Sequence, residues 1–194
     1  MEFAARRSAR RSARRSARRV LATLAASLLA GLALPAIAAA ACPNENATPL
    51  VAGEPAARDS MYCLVNAARR RAGRRQLTVN RALATEAGRY ASRMVDERFF
   101  AHVDPQGNGL LYRTRQSGYL NGYRLWALGE NIGWGAGPLG SPKAMMAALM
   151  ASRPHRRNIL STNYRNMGVG VSTGIPVGGR FGATYVQEFG WRAL

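Results

Sequence analysis

The sequence predicts an α+β fold, with helices gathered early in the folded part and an antiparallel β-hairpin at its end. Three observations carry the prediction. Apolar residues recur at helical spacing over residues 57–73 and again from Asn80 onward. Two strand signals, residues 167–172 and 183–189, close the chain around a Gly/Pro-rich connection. Strand–helix–strand alternation, the mark of a parallel sheet, is scarce.

Residues 1–41 stand apart from that fold. Arginine pairs from Arg6/Arg7 to Arg18/Arg19 ride on a repeated Ser-Ala-Arg-Arg unit. An apolar run over 20–33 follows, then Pro35 and an alanine-rich stretch to Ala41. A cationic start, a short apolar run and small residues at an Ala-x-Ala site form a secretory signal peptide, with cleavage expected near Ala41. A membrane anchor is the competing reading, but Pro35 and the alanines suit a cleavage site better than a helix end in lipid. Arg18-Arg19-Val20-Leu21 also resembles a twin-arginine signal. Lipid attachment at Cys42 is disfavoured, because Ala39-Ala40-Ala41 lacks a large aliphatic residue.

The leader changes the charge balance. The chain has 28 basic and 10 acidic residues; eight and one of these fall in 1–41, leaving 20 against 9, or +11. A domain that basic is drawn to anionic surfaces such as cell-wall polymers or lipid headgroups. Only Lys143 is a lysine. Arg69, Arg70, Arg71, Arg74 and Arg75 cluster at a helix end, where the macrodipole favours cations.

Residues 42–56, with Pro43, Pro49 and Pro55, show no periodicity and read as an N-terminal arm. Met61, Leu64, Val65, Ala68 and Ala72 form the apolar stripe of the first helix, which Gly73 stops. Cys42 and Cys63 are the only cysteines, and in an oxidising compartment two leftover thiols pair. Closing that loop of about 20 residues stabilises the fold by ~3 kcal/mol in the chain-entropy model.

Asn80 is the expected N-cap of a second helix, whose Leu83, Ala87, Ala91 and Met94 face inward. This helix is expected to run into Phe99-Phe100-Ala101-His102 and to stop before Asp104-Pro105-Gln106-Gly107. A shorter helix is expected over 108–117, then loop and a short strand over the Gly/Trp/Tyr-rich 119–140. Ser141-Pro142 opens a helix with Met145, Met146, Leu149 and Met150 as core. In the first strand of the hairpin, Gly168 and Gly170 share one face and admit a close neighbour.

Candidate chemistry lies in three residues. His102 and His155 are the only histidines, and Glu130 stands between them in sequence. Two imidazoles and a carboxylate suffice for a three-ligand zinc site or for general acid–base work. No local spacing such as His-Glu-x-x-His forces them together. There is no Gly-x-Ser-x-Gly elbow, no phosphate-binding loop, and no aromatic–basic alternation of a nucleic-acid platform.

The order of motifs resembles the bacterial CAP superfamily, also called SCP-like extracellular domains. The matching blocks are Leu64-Val65-Asn66-Ala67-Ala68-Arg69, Phe99-Phe100-Ala101-His102 with Arg113, and Gly129-Glu130-Asn131-Ile132. Ser152-Arg153-Pro154-His155 through Leu160, Gly168-Val169-Gly170-Val171, and Tyr185-Val186-Gln187-Glu188-Phe189-Gly190 complete the series. The resemblance covers about residues 58–191 and sets the domain at 57–194. It implies a three-layer α-β-α sandwich with His102, Glu130 and His155 in one cleft. The family's second cleft acid has no counterpart in the helix before His155, leaving Asp104 and Glu188 as acids able to reach the cleft. Leu149 replaces a common tryptophan, and Arg153-Pro154 replaces the usual Pro-Gly.

Three functional readings follow. The leading one is a secreted, monomeric, non-catalytic binding or structural module, because no activated nucleophile is in sight. It requires no cofactor, and its cleft is suited to a divalent metal such as zinc or a lipid-like ligand. The second is a metal-dependent hydrolase using the same three residues. The third is a cationic protein that binds anionic polymer or lipid of the cell envelope, with nucleic acid disfavoured.

Overall fold

The structure is a computed structural model that describes residues 41–194. The leader expected over 1–41, Ala41 apart, lies outside them. Helices α1 (Pro49–Ala52) and α2 (Glu54–Arg71) come first, then the two-residue strand β1 (Thr78–Val79) and helix α3 (Arg81–Asp96). Helix α4 (Leu110–Gln116) leads into strand β2 (Leu125–Ala136) and a 3-10 turn at Gly137–Gly140. Helices α5 (Pro142–Ala151) and α6 (Arg153–Leu160) precede strands β3 (Asn166–Thr173) and β4 (Gly182–Ala193).

The four strands form one sheet in the order β1-β3-β4-β2. Strand β4 is antiparallel to both β3 and β2, and β1 runs parallel to β3. The expected hairpin is therefore present. Its partner β2 is a full twelve-residue strand rather than a loop with a short strand. Glycine explains the difference. A Cβ at Gly129, Gly133 or Gly135 would strike Tyr164, Met145 or the backbone at Leu139, so these residues let other elements pack on extended backbone.

Each face of the sheet carries a helical layer. On one, Met61 and Val65 of α2 and Met145 and Leu149 of α5 pack with Met167, Val169, Tyr185 and Phe189. On the other, Ala87, Tyr90, Ala91 and Met94 of α3 meet Ile132 and Val186. The three-layer α-β-α sandwich implied by the motifs is the observed architecture. Each fully buried side chain of this size contributes ~1.5–3 kcal/mol. The close approach of α3 depends on Gly168 and Gly170, where a Cβ would collide with the backbones of Leu83–Ala84 and Ala87–Gly88.

Helix ends follow local chemistry. The Asn80 side chain caps α3 by accepting from the amides of Ala82 and Leu83 at 3.0 and 3.3 Å. Helix α3 stops at Asp96, before the expected Phe99, because Arg98 adopts φ 55°. The expected arm is partly helical: Pro49 opens α1, and Pro55 sits in the first turn of α2, where a missing N–H costs nothing. Cys42 and Cys63 are joined in a disulfide with Cα atoms 5.7 Å apart. The arm is held further by a Lys143–Glu45 ion pair at 2.9 Å and a bond from the Lys143 amide to the Glu45 carbonyl.

Candidate functional site: a buried charge cluster beneath two histidines

The site is built around Glu130, midway along β2. Strand alternation sends Glu130 toward the α3 layer and its neighbour Asn131 toward the other. The Glu130 carboxylate is nearly closed off from solvent, with 3% side-chain exposure. One oxygen faces His102 Nδ1 at 2.7 Å, and the other accepts from Arg113 Nη2. Opposite a carboxylate, Nδ1 is the protonated nitrogen of a neutral imidazole, so Nε2 is left free. The His102 side chain is 56% exposed.

Arg113 organises the cluster from α4. Its Nη1 donates to the carbonyls of His102 and Asn108 at 3.0 and 3.1 Å, fixing the loop that carries the histidine. Its Nε stands 3.3 Å from Glu86 Oε1, and its guanidinium lies 3.4 Å from the Tyr90 ring centroid. Burial holds the Glu86 carboxyl above its ordinary range, against the pull of Arg113. Burial likewise raises the Tyr90 hydroxyl to about 12.

Glu188 lies beneath this pair. It is directly across from Glu130 in the β2–β4 register and fully buried, and among the described residues neither of its oxygens has a hydrogen-bond partner. Burial pushes its carboxyl well above the usual carboxylate range, and the neighbouring Glu130 and Glu86 push the same way. Asp104, the other acid able to reach the cleft, is spent elsewhere. Its oxygens take Arg93 at 2.7 Å and the Gln106 and Asn108 amides at 3.0 and 2.8 Å. Burial alone would raise its carboxyl, but those bonds overcome burial and hold it at about 2.

His155 comes from the other layer, near enough for the charge of His102 to act on it. It lies inside α6, which Arg153-Pro154 opens. Asn131 donates to the His155 carbonyl at 3.1 Å and to Gln187 Oε1 at 3.0 Å. Asn158, one turn along α6, donates to the Glu130 carbonyl and to Asn131 Oδ1 at 3.1 and 3.0 Å. These amides pin α6 onto β2. The two imidazoles feel opposite fields: the bond to Glu130 holds His102 above the ordinary histidine value, outweighing burial. Burial, then the charge of His102, holds His155 below it.

The geometry changes the expected ligand set. Both Glu130 oxygens are taken, one by a guanidinium that repels cations. Among the described residues no group of three His, Cys, Asp or Glu side chains is spaced to hold a metal ion. Glu130 is placed to orient His102 from behind. Residue types alone did not single out Glu86 as the second carboxylate beside Arg113. The available signal was a carboxylate set in the apolar stripe Leu83, Ala87, Tyr90 and Ala91 of a helix.

Comparison with known proteins bears on the family and the fold. The profile of the cysteine-rich secretory protein family, CAP, matches residues 62–189. YkwD of Bacillus subtilis, described as uncharacterized, is 31% identical over 116 residues, 55% of this chain and 39% of that protein. An extracellular protein containing an SCP domain from Bacillus anthracis is similar in structure, with a TM-score of 0.59 and 26% identity over 71% of this chain and 41% of that one. An outer surface protein of Borrelia burgdorferi shares the fold, with a TM-score of 0.57 and 18% identity over 69% of this chain and 90% of that one. The chain therefore spans less than half the length of the two Bacillus proteins. With the family's profile covering the sheet, both helical layers and the cleft, the chain belongs to the cysteine-rich secretory protein (CAP) family.

Proposed function

We propose that the chain is an exported, non-catalytic binding module whose cleft engages its ligand through the His102 and His155 imidazoles. The observation that carries this reading is the fixed state of Glu130. A carboxylate clamped between Arg113 and His102 serves as an anchor, and a base for water activation needs a free oxygen. Export is supported by the Cys42–Cys63 disulfide and by similarity to a protein described as extracellular. No helix of the described residues is long and apolar enough to cross a membrane.

Zinc is the probe for the cleft. Its titration, followed by the imidazole NMR signals, is expected to move both rings together. His102→Ala or His155→Ala abolishes that response, and Glu130→Gln weakens zinc binding about 10–100-fold by releasing the orientation of His102. Protons compete for the same nitrogens, so affinity falls as pH drops, and His102, with its raised pKa, is lost first. Rings that titrate with zinc independently, or Glu130→Gln binding as wild type does, would refute the paired cleft. Turnover of peptide or ester substrates that is lost in His102→Ala would refute the non-catalytic reading.

A further inference from the structure

A second site lies where the end of α2 meets α6, and the cleft network uses none of its side chains. Arg69 is buried there and acts as a staple. Its Nε donates to the Arg75 carbonyl at 2.7 Å, and its Nη1 to the carbonyls of Ile159 and Ser161 at 2.6 and 2.9 Å. The staple draws two sets of exposed arginines together. Arg70, Arg71, Arg74 and Arg75 come from the α2 side, and Arg153, Arg156 and Arg157 from α6. Among the described residues no carboxylate lies within ion-pair distance of any of these seven.

The helix macrodipole accounts for the α2 set, which sits at a helix C-terminus. It accounts for Arg157 in the last turn of α6 but not for the charge at the start of that helix. That helix has Arg153 in its first turn, no acidic residue there, and no side-chain cap from Ser152. Cations at this end oppose the dipole, and crowding seven like charges adds self-repulsion. A bound polyanion relieves both. Arg71 and Arg156 line one open groove of about 520 Å³, floored by Ala68, Met150 and Leu160.

The shape and the side chains select the ligand. An open groove between two arginine sets accepts an extended chain, and the guanidinium fork matches phosphate oxygens two at a time. A bilayer surface is the weaker fit, because surface-bound proteins anchor with projecting apolar side chains. None of the exposed large hydrophobic residues falls within 64–77 or 143–165. We propose that the face formed by the end of α2 and by α6 binds a linear phosphodiester polymer of the cell envelope, its backbone phosphates lying along the groove between Arg71 and Arg156.

The test uses the disulfide-intact exported protein and a fluorescent poly(glycerol phosphate) chain, with binding followed by anisotropy over a salt series. Affinity is expected to fall linearly on a log–log plot. The triple variant Arg71→Gln/Arg74→Gln/Arg156→Gln is expected to bind at least ~10-fold more weakly at low salt, with a slope shallower by about 2, at roughly 0.7 per lost phosphate contact. The control Arg81→Gln/Arg124→Gln/Arg180→Gln removes the same charge at exposed positions elsewhere and is expected to stay within about twofold. Equal losses in the two triples would overturn the proposal in favour of diffuse charge. Tighter binding to phosphatidylglycerol vesicles than to the polymer would overturn it in favour of a membrane. His102→Ala retains polymer binding if the site is the groove; loss there would assign the polymer to the cleft, so the two readings fail separately.

Discussion

Arg113 balances two carboxylates and leaves the third, Glu188, with only a distant share of its charge. The result is a pH-dependent cost. An acid whose folded pKa is raised is harmless below its unfolded value of 4.5, where both states are protonated, and removes stability as pH climbs from there toward the folded pKa. Glu188→Gln keeps the shape and deletes the titration. Its melting temperature is expected to exceed that of the parent by about 4 °C at neutral pH, and the gain should vanish near pH 4. Differential scanning calorimetry at the two pH values checks this, and a gain of the same size at both would defeat it. Glu188 was legible in the sequence as an acid able to reach the cleft, and His102 and Glu130 as cleft members. Their link through Arg113 was not, because the pairs Glu86–Arg113 and Arg113–Glu130 are made by packing α3, α4 and β2 together. No local spacing encodes that packing.

Among the elements, α2, α3, α5 and the final hairpin were legible because each has its own apolar period or turn chemistry. Strand β2 was not. Its glycines imitate a loop, although Gly129, Gly133 and Gly135 recur on one face at even spacing, a period-2 signal. Helix α6 was hidden for the opposite reason: its arginines and asparagine carry no apolar run, and it is held by Asn131 and Asn158 instead. A glycine under α3 and a glycine within it offer a contrast in one pair of substitutions. Gly170→Ala pushes a methyl into the Ala87 backbone and is expected to cost ~3 kcal/mol. Gly88→Ala, within α3 with nothing in the path of its Cβ, is expected to stabilise by about 0.5–1 kcal/mol through helix propensity. Urea unfolding of both variants reads the two signs, and equal effects would mean that α3 does not depend on close approach.

At the scale of the whole molecule, the N-terminal segment is tied into the domain. The Cys42 amide donates to Glu45 at 3.1 Å, Glu45 pairs with Lys143 on α5, and Ser60 bonds the Pro43 carbonyl. Cleavage near Ala41 would leave this tether intact. Intact-mass analysis of exported protein is expected to place its N-terminus near Cys42, lighter by two hydrogens than the reduced chain. Reduction is expected to lower stability by ~3 kcal/mol. Free thiols at both cysteines, or a start well inside the arm, would contradict this.

Strand β2 is an outer strand of the sheet, and two carbonyls in its middle are covered. Tyr164 donates to that of Leu128 and Asn158 to that of Glu130, at 3.2 and 3.1 Å. An unpaired rim of this length is the usual template on which a second chain adds a strand and aggregation begins. Here the middle of the rim is blocked by Tyr164 and by Asn158 of α6, the helix that carries His155. Loosening α6 to reshape the cleft would therefore uncover a sticky border, which couples any adaptation of this cleft to the solubility of the protein that carries it.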